Sequence, residues 1–134
     1  MREQRILALG ILAMLFIPAR GSSDLCPVML LSGTVEQNTL TITFRNDGKS
    51  PIRTLEFNCN QVDAEADKLN HIHCIEEKAH FLPGSENTVR YNGLDFKPVP
   101  VLVSVKRITF SDGSNWKPSK HTSCQALKVR PETK

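Results

Sequence analysis

The dominant pattern in this chain is an alternation of apolar and polar residues. Leu40, Ile42 and Phe44 are separated by threonines, and residues 55–59 repeat the same period of two. Successive side chains of a β-strand point to opposite faces, so this period predicts strands with one face toward a core. Residues 62–69 are an exception, because alanine and charged residues outnumber the apolar ones. That composition predicts a loop with at most one turn of helix.

Turn-forming sequences separate the strands. NDGKSP (46–51) and LPGSEN (82–87) combine glycine, proline and asparagine, and SDGSN (111–115) precedes the single tryptophan. Glycine and asparagine tolerate positive φ and proline forces an extended continuation, so each cluster predicts a reversal of the chain. About seven short strands at this spacing predict an all-β fold, an immunoglobulin-like two-sheet antiparallel β-sandwich. Without an internal repeat or linker, residues 22–134 are expected to form one domain.

Three stretches resemble parts of small exported bacterial immunoglobulin-like domains. FRNDGKSPIRTLEF is similar to their second and third strands, FLPGSENTVRY to their L-x-P-G turn and following strand, and VKRITFSDGSNW to their closing hairpin. The resemblance covers most of residues 33–117. It departs from antibody-type domains, because no tryptophan lies between the two middle cysteines. It implies a fold often used as an adhesive or accessory module, and it specifies no ligand.

The stretch VLVSVKRITF (101–110) does not keep a single period. Its three valines occupy odd-numbered positions, whereas Ile108 and Phe110 occupy even-numbered positions. An extra residue at Lys106-Arg107 would let both apolar groups face the core while the two charged side chains reach solvent. This arrangement is a β-bulge, which we predict here. The alternative is a strand that is buried on both faces.

The first 21 residues have the pattern of a signal peptide. Arg2 and Arg5 precede an uncharged run of 14 residues, Ile6 to Ala19. Ala19-Arg20-Gly21 then places small residues at the two positions that a signal peptidase reads. We therefore predict a signal peptide over residues 1–21, cleaved before Ser22, and a secreted or periplasmic protein.

The N-terminal pattern has two other interpretations. An uncleaved anchor helix is the main alternative, although the uncharged run is shorter than the roughly 20 residues that span a membrane. A lipid-anchored cysteine would need a small residue before Cys26, whereas Leu25 stands there. We expect no stable membrane insertion after cleavage.

Removal of residues 1–21 changes the charge balance. The whole chain has 17 Lys and Arg against 14 Asp and Glu, and the predicted signal peptide contains three of the former and one of the latter. The remainder therefore has 14 basic and 13 acidic residues, a net charge of +1. Nucleic-acid binding requires a concentrated basic surface, so we expect no nucleic-acid partner.

The chain has four cysteines, Cys26, Cys59, Cys74 and Cys124. In an exported protein they are expected to form two disulfides, for which three pairings are possible. We favour Cys59–Cys74 with Cys26–Cys124, because the first closes a local loop and the second joins residues near the chain ends. A metal site is the alternative for FNCNQVDAEADKLNHIHC. Zinc sites normally use closely paired cysteines, whereas 14 residues separate Cys59 from Cys74.

His71 and His73 are candidate metal ligands. If HIHCIE is a strand with Cys74 toward the core, both imidazoles point to the outer face. Two such side chains can jointly hold Cu(II) or Zn(II). No third ligand is identifiable. His80 is at an even-numbered position, unlike His71 and His73, and His121 is far along the chain. Ordinary surface histidines are the default expectation.

No motif predicts an enzyme or a cofactor. The chain lacks Gly-x-Ser-x-Gly, His-Glu-x-x-His and a glycine-rich phosphate loop. Bridged cysteines would leave no thiol nucleophile. Asp63, Glu65 and Asp67 alternate as weak calcium ligands could, but they lack the glycine and distal glutamate of a calcium loop. A solvated acidic turn is the better interpretation.

Two functions remain as hypotheses. The leading one is an exported, non-enzymatic binding or accessory module that contacts an unknown protein or cell-surface partner through a face or edge of its sandwich. The alternative is a periplasmic or extracellular copper- or zinc-binding protein that uses His71 and His73. The two hypotheses differ in whether the protein binds metal.

Overall fold

The computed structural model describes residues 25–65, 67–95 and 97–131, so the predicted signal peptide lies outside the described residues. These residues form eight strands: β1 (Val28–Glu36), β2 (Thr39–Asn46), β3 (Ile52–Val62), β4 (Lys68–Glu76), β5 (Glu86–Asn92), β6 (Val101–Phe110), β7 (Asn115–Trp116) and β8 (Leu127–Val129). The predicted all-β class is confirmed. About seven strands are predicted and the described residues form eight, of which β7 has two residues and β8 three. The described segments contain no helix that could cross a membrane.

The strands form two antiparallel sheets. One has three strands in the order β1-β2-β5, and the other has five, in the order β4-β3-β6-β7 with β8 also paired to β6. β7 pairs with Ile108 and Thr109 of β6, whereas β8 pairs with Val101 to Val103. Both short strands therefore share one edge of β6. The two sheets bury their apolar faces against each other as a β-sandwich.

The core consists of inward-facing residues from both sheets. Leu40, Ile42 and Phe44 of β2 are fully buried. Leu55 and Phe57 of β3 are also buried, with at most 1% of their surface exposed. The rings of Phe44 and Phe57 meet edge to face with centroids 6.0 Å apart, which joins the two layers. The inward and outward positions follow the alternation read from the sequence.

Both favoured disulfides are present. Cys59–Cys74 joins the neighbouring strands β3 and β4 within the core, with Cα atoms 6.4 Å apart. Cys26–Cys124 joins the segment before β1 to the segment before β8, with Cα atoms 5.0 Å apart. All four cysteines are therefore bonded. Two disulfides in a small domain indicate an oxidising, non-cytosolic compartment.

The bulge predicted in β6 is confirmed. Residues 56 and 57 of β3 pair with Arg107 and Val105, so Lys106 is the extra residue of β6. The insertion keeps both Val105 and Ile108 in the core and leaves Lys106 and Arg107 exposed. The alternative of an unbroken strand buried on both faces is wrong, because the period shifts by one at the bulge.

The loop between β3 and β4 is shorter than predicted, because Val62 belongs to β3 and Lys68 to β4. The Asp63 carboxylate accepts hydrogen bonds from the backbone N–H groups of Glu65 and Asp67, each at 2.9 Å. A carboxylate that caps its own turn is a common local device. Asp63 therefore has a structural role in the acidic turn.

Candidate functional site

The outer face of the five-stranded sheet carries the two histidines singled out by the sequence. Ile72 and Cys74 of β4 are buried, whereas His71 and His73 are exposed. The predicted orientation of these four side chains is confirmed. Among the described strands, β4 pairs with β3 alone, so the histidines lie on an edge strand.

Two rows of side chains cross this face from β4 through β3 to β6. Each row contains a histidine of β4, an asparagine of β3 and an uncharged residue of β6. The rows are His71–Asn60–Leu102 and His73–Asn58–Ser104, and we call these six residues the uncharged face. Leu102 is one of the more exposed large apolar residues, at 37%. The face therefore combines hydrogen-bonding groups with accessible apolar surface.

Asn60 orients the ring of His71. Its Oδ1 lies 3.0 Å from Nδ1 of His71, and the Asn60 side chain is itself buried. An amide oxygen accepts hydrogen bonds, so Nδ1 of the neutral imidazole carries the hydrogen and Nε2 keeps a free lone pair. Metal-ligating histidines commonly donate their other ring N–H to such an oxygen. The contact therefore leaves His71 ready to accept a cation or a donor group at Nε2.

The β6 bulge places two cations at one end of the uncharged face. Lys106 Nζ lies 3.4 Å from Oε2 of Glu56, and an Arg107 guanidinium nitrogen lies 2.9 Å from Oε1. The two cationic side chains are about half exposed, whereas Glu56 beneath them is nearly covered. The cluster of Glu56, Lys106 and Arg107 therefore presents one excess positive charge to solvent.

Burial alone would raise the pKa of Glu56, because it penalises the charged form. Hydrogen bonds from Lys106 and Arg107 and their positive charges outweigh this cost and hold the pKa of Glu56 below its ordinary value. The carboxylate is therefore ionised at neutral pH. A third cation, Lys128 of β8, lies opposite Leu102 and extends the first row.

The outer face of the three-stranded sheet differs in character. It is rich in threonine, and Thr34 of β1 lies opposite Thr41 of β2. The hydroxyls of Thr43 and Thr88 lie 2.9 Å apart and bond to each other. Threonine is common on solvent-facing strand positions, so this face needs no ligand to explain its composition.

The remaining histidines do not join His71 and His73. His80 and His121 are exposed and lie outside β4. Within residues 25–65, 67–95 and 97–131, no group of three or more His, Cys, Asp or Glu side chains could hold a metal ion. Asn58, Asn60 and Ser104 were not candidates from the sequence, because only strand register places them beside the histidines.

The fold and this face describe a small, disulfide-bonded β-sandwich protein. No protein-family model matches the chain, and no curated protein matches its sequence. Solved structures do match. The "Putative ApaA Protein from Bordetella pertussis" aligns with a TM-score of 0.50 and 11% identity over 78% of this chain and 91% of that chain. A Northeast Structural Genomics Consortium target, SoR45, aligns with a TM-score of 0.45 and 10% identity over 77% and 81%. At such identity the first likeness supports the fold alone, and we draw nothing from the second.

Proposed function

We propose that this protein is an exported, non-enzymatic binding or accessory module that holds a protein or cell-surface partner on the uncharged face. The observation that carries the proposal is the charge distribution. His73, Asn58 and Ser104 form an uncharged row between the first row and the cations of the β6 bulge. Lys128 lies beyond Leu102, which adds exposed apolar surface. Protein interfaces are typically depleted of charge at the centre and polar at the rim.

The strand order supports an immunoglobulin-type sandwich as the scaffold. The proposal assigns β1-β2-β5 to strands A, B and E of that fold and β4-β3-β6-β7 to strands C′, C, F and G, in agreement with the observed orders. In such a sandwich a sheet face is a rigid platform, because the strands beneath it are packed in the core. The platform here is β3, whose inward side chains are buried along most of its length.

The rim charges favour a partner with acidic groups. Lys106, Arg107 and Lys128 lie around the uncharged face, and Glu56 offsets one of these three charges. Complementary charge at a rim mainly raises the association rate and the specificity. Secretion or a periplasmic location is part of the proposal, and both the disulfides and the N-terminal sequence pattern support it.

An arginine placed at the centre of the face tests this function. Ser104→Arg would add a long cationic side chain to the second row, and Thr34→Arg would add the same group to the outer face of the other sheet. The immobilised full chain and both variants are exposed to proteins of the exported fraction, after thermal unfolding has shown that all three are folded. We expect the captured partner to be lost with S104R and retained with T34R. Retention by S104R would exclude this face.

Binding of Cu(II) or Zn(II) by His71 and His73 is the second candidate function. The specific observation in its favour is the contact with Asn60, which leaves Nε2 of His71 free. Titration of the full chain with Cu(II), followed by spectroscopy of the histidine ligands, tests it. Binding that persists unchanged in a variant with both His71→Gln and His73→Gln would rule it out.

A further inference from the structure

The central part of the exposed β4 edge, residues 70–75, lacks the usual protection against pairing. Among the described residues its backbone pairs with β3 alone. Edge strands are commonly blunted by lysine, proline, bulges or inward-pointing charges. Residues 70–75 contain neither lysine nor proline, and the register irregularity lies before them, where Val62 pairs with Lys68. The ionisable side chains of this stretch are His71 and His73, which are compatible with pairing when neutral.

Symmetry restricts how two such edges can pair. In an antiparallel pair, side chains directly opposite each other lie on the same face of the sheet. When two copies join edge to edge about a two-fold axis, the outer-face residues of one β4 therefore lie opposite outer-face residues of the other β4. A register centred on Ile72 places each His71 opposite a His73 of the second copy. Registers centred on His71 or on His73 bring a single histidine pair together. The Ile72-centred register therefore collects four imidazoles on one face.

We propose that His71 and His73 are half of a Zn(II) site, which a second copy of this chain completes by antiparallel pairing of the two β4 strands. Opposite residues have Cβ atoms about 5 Å apart, and alternate residues of one strand are about 7 Å apart. Four imidazoles at the corners of such a rectangle can converge on a tetrahedral ion with Zn–N distances of about 2.0–2.1 Å. The inference rests on the metal-binding candidate function and states its stoichiometry and partner.

The ligand count supports a shared site. Structural zinc sites use four protein ligands, and one chain supplies two on this face. No third ligand joins them within the described part of the chain, so the site is incomplete without a second copy. Metal bonds from both chains would also stabilise an edge pair that is weak by itself.

The half-site is held in place before any partner arrives. The Asn60 amide oxygen, 3.0 Å from His71 Nδ1, orients one ring. The Cys59–Cys74 disulfide ties β4 to β3 beside the histidines. The nearest described charges on the neighbouring strands, those of Glu56, Lys106 and Arg107, lie one row beyond His73 and sum to one positive charge. A bound dication would therefore face one excess positive charge and not a concentrated basic patch.

Molar mass and zinc content, measured together on the oxidised full chain, test the shared site. With Zn(II) we expect a dimer that holds one ion per two chains and reverts to monomer with a chelator. His73→Gln should abolish dimer formation, whereas His80→Gln and His121→Gln should leave it unchanged. Asn60→Ala should weaken zinc binding about tenfold, the usual cost of removing an orienting partner.

Three outcomes would overturn the shared site, and they separate it from the functions on which it rests. A monomeric complex with one zinc per chain would remove the two-chain site and leave metal binding standing. A dimer that survives both H73Q and the chelator would show metal-independent association. Absence of zinc binding would exclude the shared site, while the partner-capture experiment with S104R would still decide the binding-module function.

Discussion

Asn60 Oδ1 and His71 Nδ1 lie 3.0 Å apart across the β3–β4 pair. Asn60 is buried and His71 is exposed, so a fixed side chain within the sheet sets the ring of an edge residue that faces solvent. The hydrogen of the neutral imidazole is thereby assigned to Nδ1, and Nε2 is the free acceptor.

The tautomer of His71 is the first prediction. Nitrogen-15 NMR at neutral pH should show the Nδ1–H form for His71, and Asn60→Ala should shift the ring toward the Nε2–H form because the acceptor is lost. The spectra of His80 and His121 are internal controls and should not change. An unaltered His71 spectrum in N60A would contradict the contact.

The second prediction concerns Glu56 and pH. Since the pKa of Glu56 is lowered in the folded protein, its ion pairs contribute stability above the ordinary carboxyl value of 4.5, and this contribution is lost as the pH falls through the folded-state pKa. Lys106 and Arg107 are about half exposed, so solvent screens the ion pairs. The loss of stability on Glu56→Gln should therefore be about 1 kcal/mol at neutral pH.

Chemical denaturation between pH 3 and pH 7 measures the effect of E56Q. The difference in free energy of unfolding between wild type and E56Q should narrow in acid. Glu36→Gln, at an exposed position of β1, is the matched control and should change stability little at any pH. A difference that is independent of pH would argue against the ion pairs.

Asn46 is the subject of the third prediction. Its side chain is fully buried, donates to the carbonyl oxygens of Ser50 at 3.0 Å and Phe81 at 2.9 Å, and accepts from the Gly48 N–H at 2.8 Å. Asn46→Ala would leave the part-buried Ser50 carbonyl and Gly48 N–H without these bonds, whereas the Phe81 carbonyl keeps its bond from the Ile52 N–H. We expect a cost of about 2 kcal/mol in the free energy of unfolding. Asn92→Ala, at an exposed position, should cost about 0.5 kcal/mol or less.

The fourth prediction tests the bulge by deletion. Removing Lys106 would close the insertion and restore strict alternation, so that Val105, Ile108 and Phe110 all stay on the core face with the same partners on β3. In an unbroken strand the same deletion would reverse every side chain beyond it. We therefore expect the deletion variant to remain folded in circular dichroism and thermal melts. Lys106→Ala keeps the chain length and should remain folded, with a loss of about 1 kcal/mol or less. An unfolded deletion variant beside a folded K106A would be inconsistent with the assigned bulge.

The disulfides give the fifth prediction. Alkylation of the unreduced protein should label none of the four cysteines, and peptide mapping should recover a fragment that links Cys59 to Cys74. Replacing both residues by alanine should cost about 3 kcal/mol, because the bond closes a loop with a sequence separation of 15. Recovery of a Cys26–Cys59 peptide instead would refute the assigned connectivity.

The sequence by itself determined the properties that depend on one segment at a time. Alternation predicted which side chains of β2 and β4 face the core, because the period of a strand is local. The period also predicted the bulge, because a regular strand would send the apolar residues Val105 and Ile108 to opposite faces. The pairing of Cys59 with Cys74 also followed from short separation along the chain. The strand count was less exact, since β7 and β8 are too short to show a period.

Only the tertiary structure decided which side chains of different strands are neighbours. Asn60 beside His71, Glu56 beneath Arg107, and Asn46 bonded to Phe81 all depend on how segments distant in sequence align. The period of one strand says nothing about its register with another, because many registers keep the same apolar face buried. Register is selected by the packing of the whole core, and for that reason the uncharged face and its cationic rim became visible only in the folded chain.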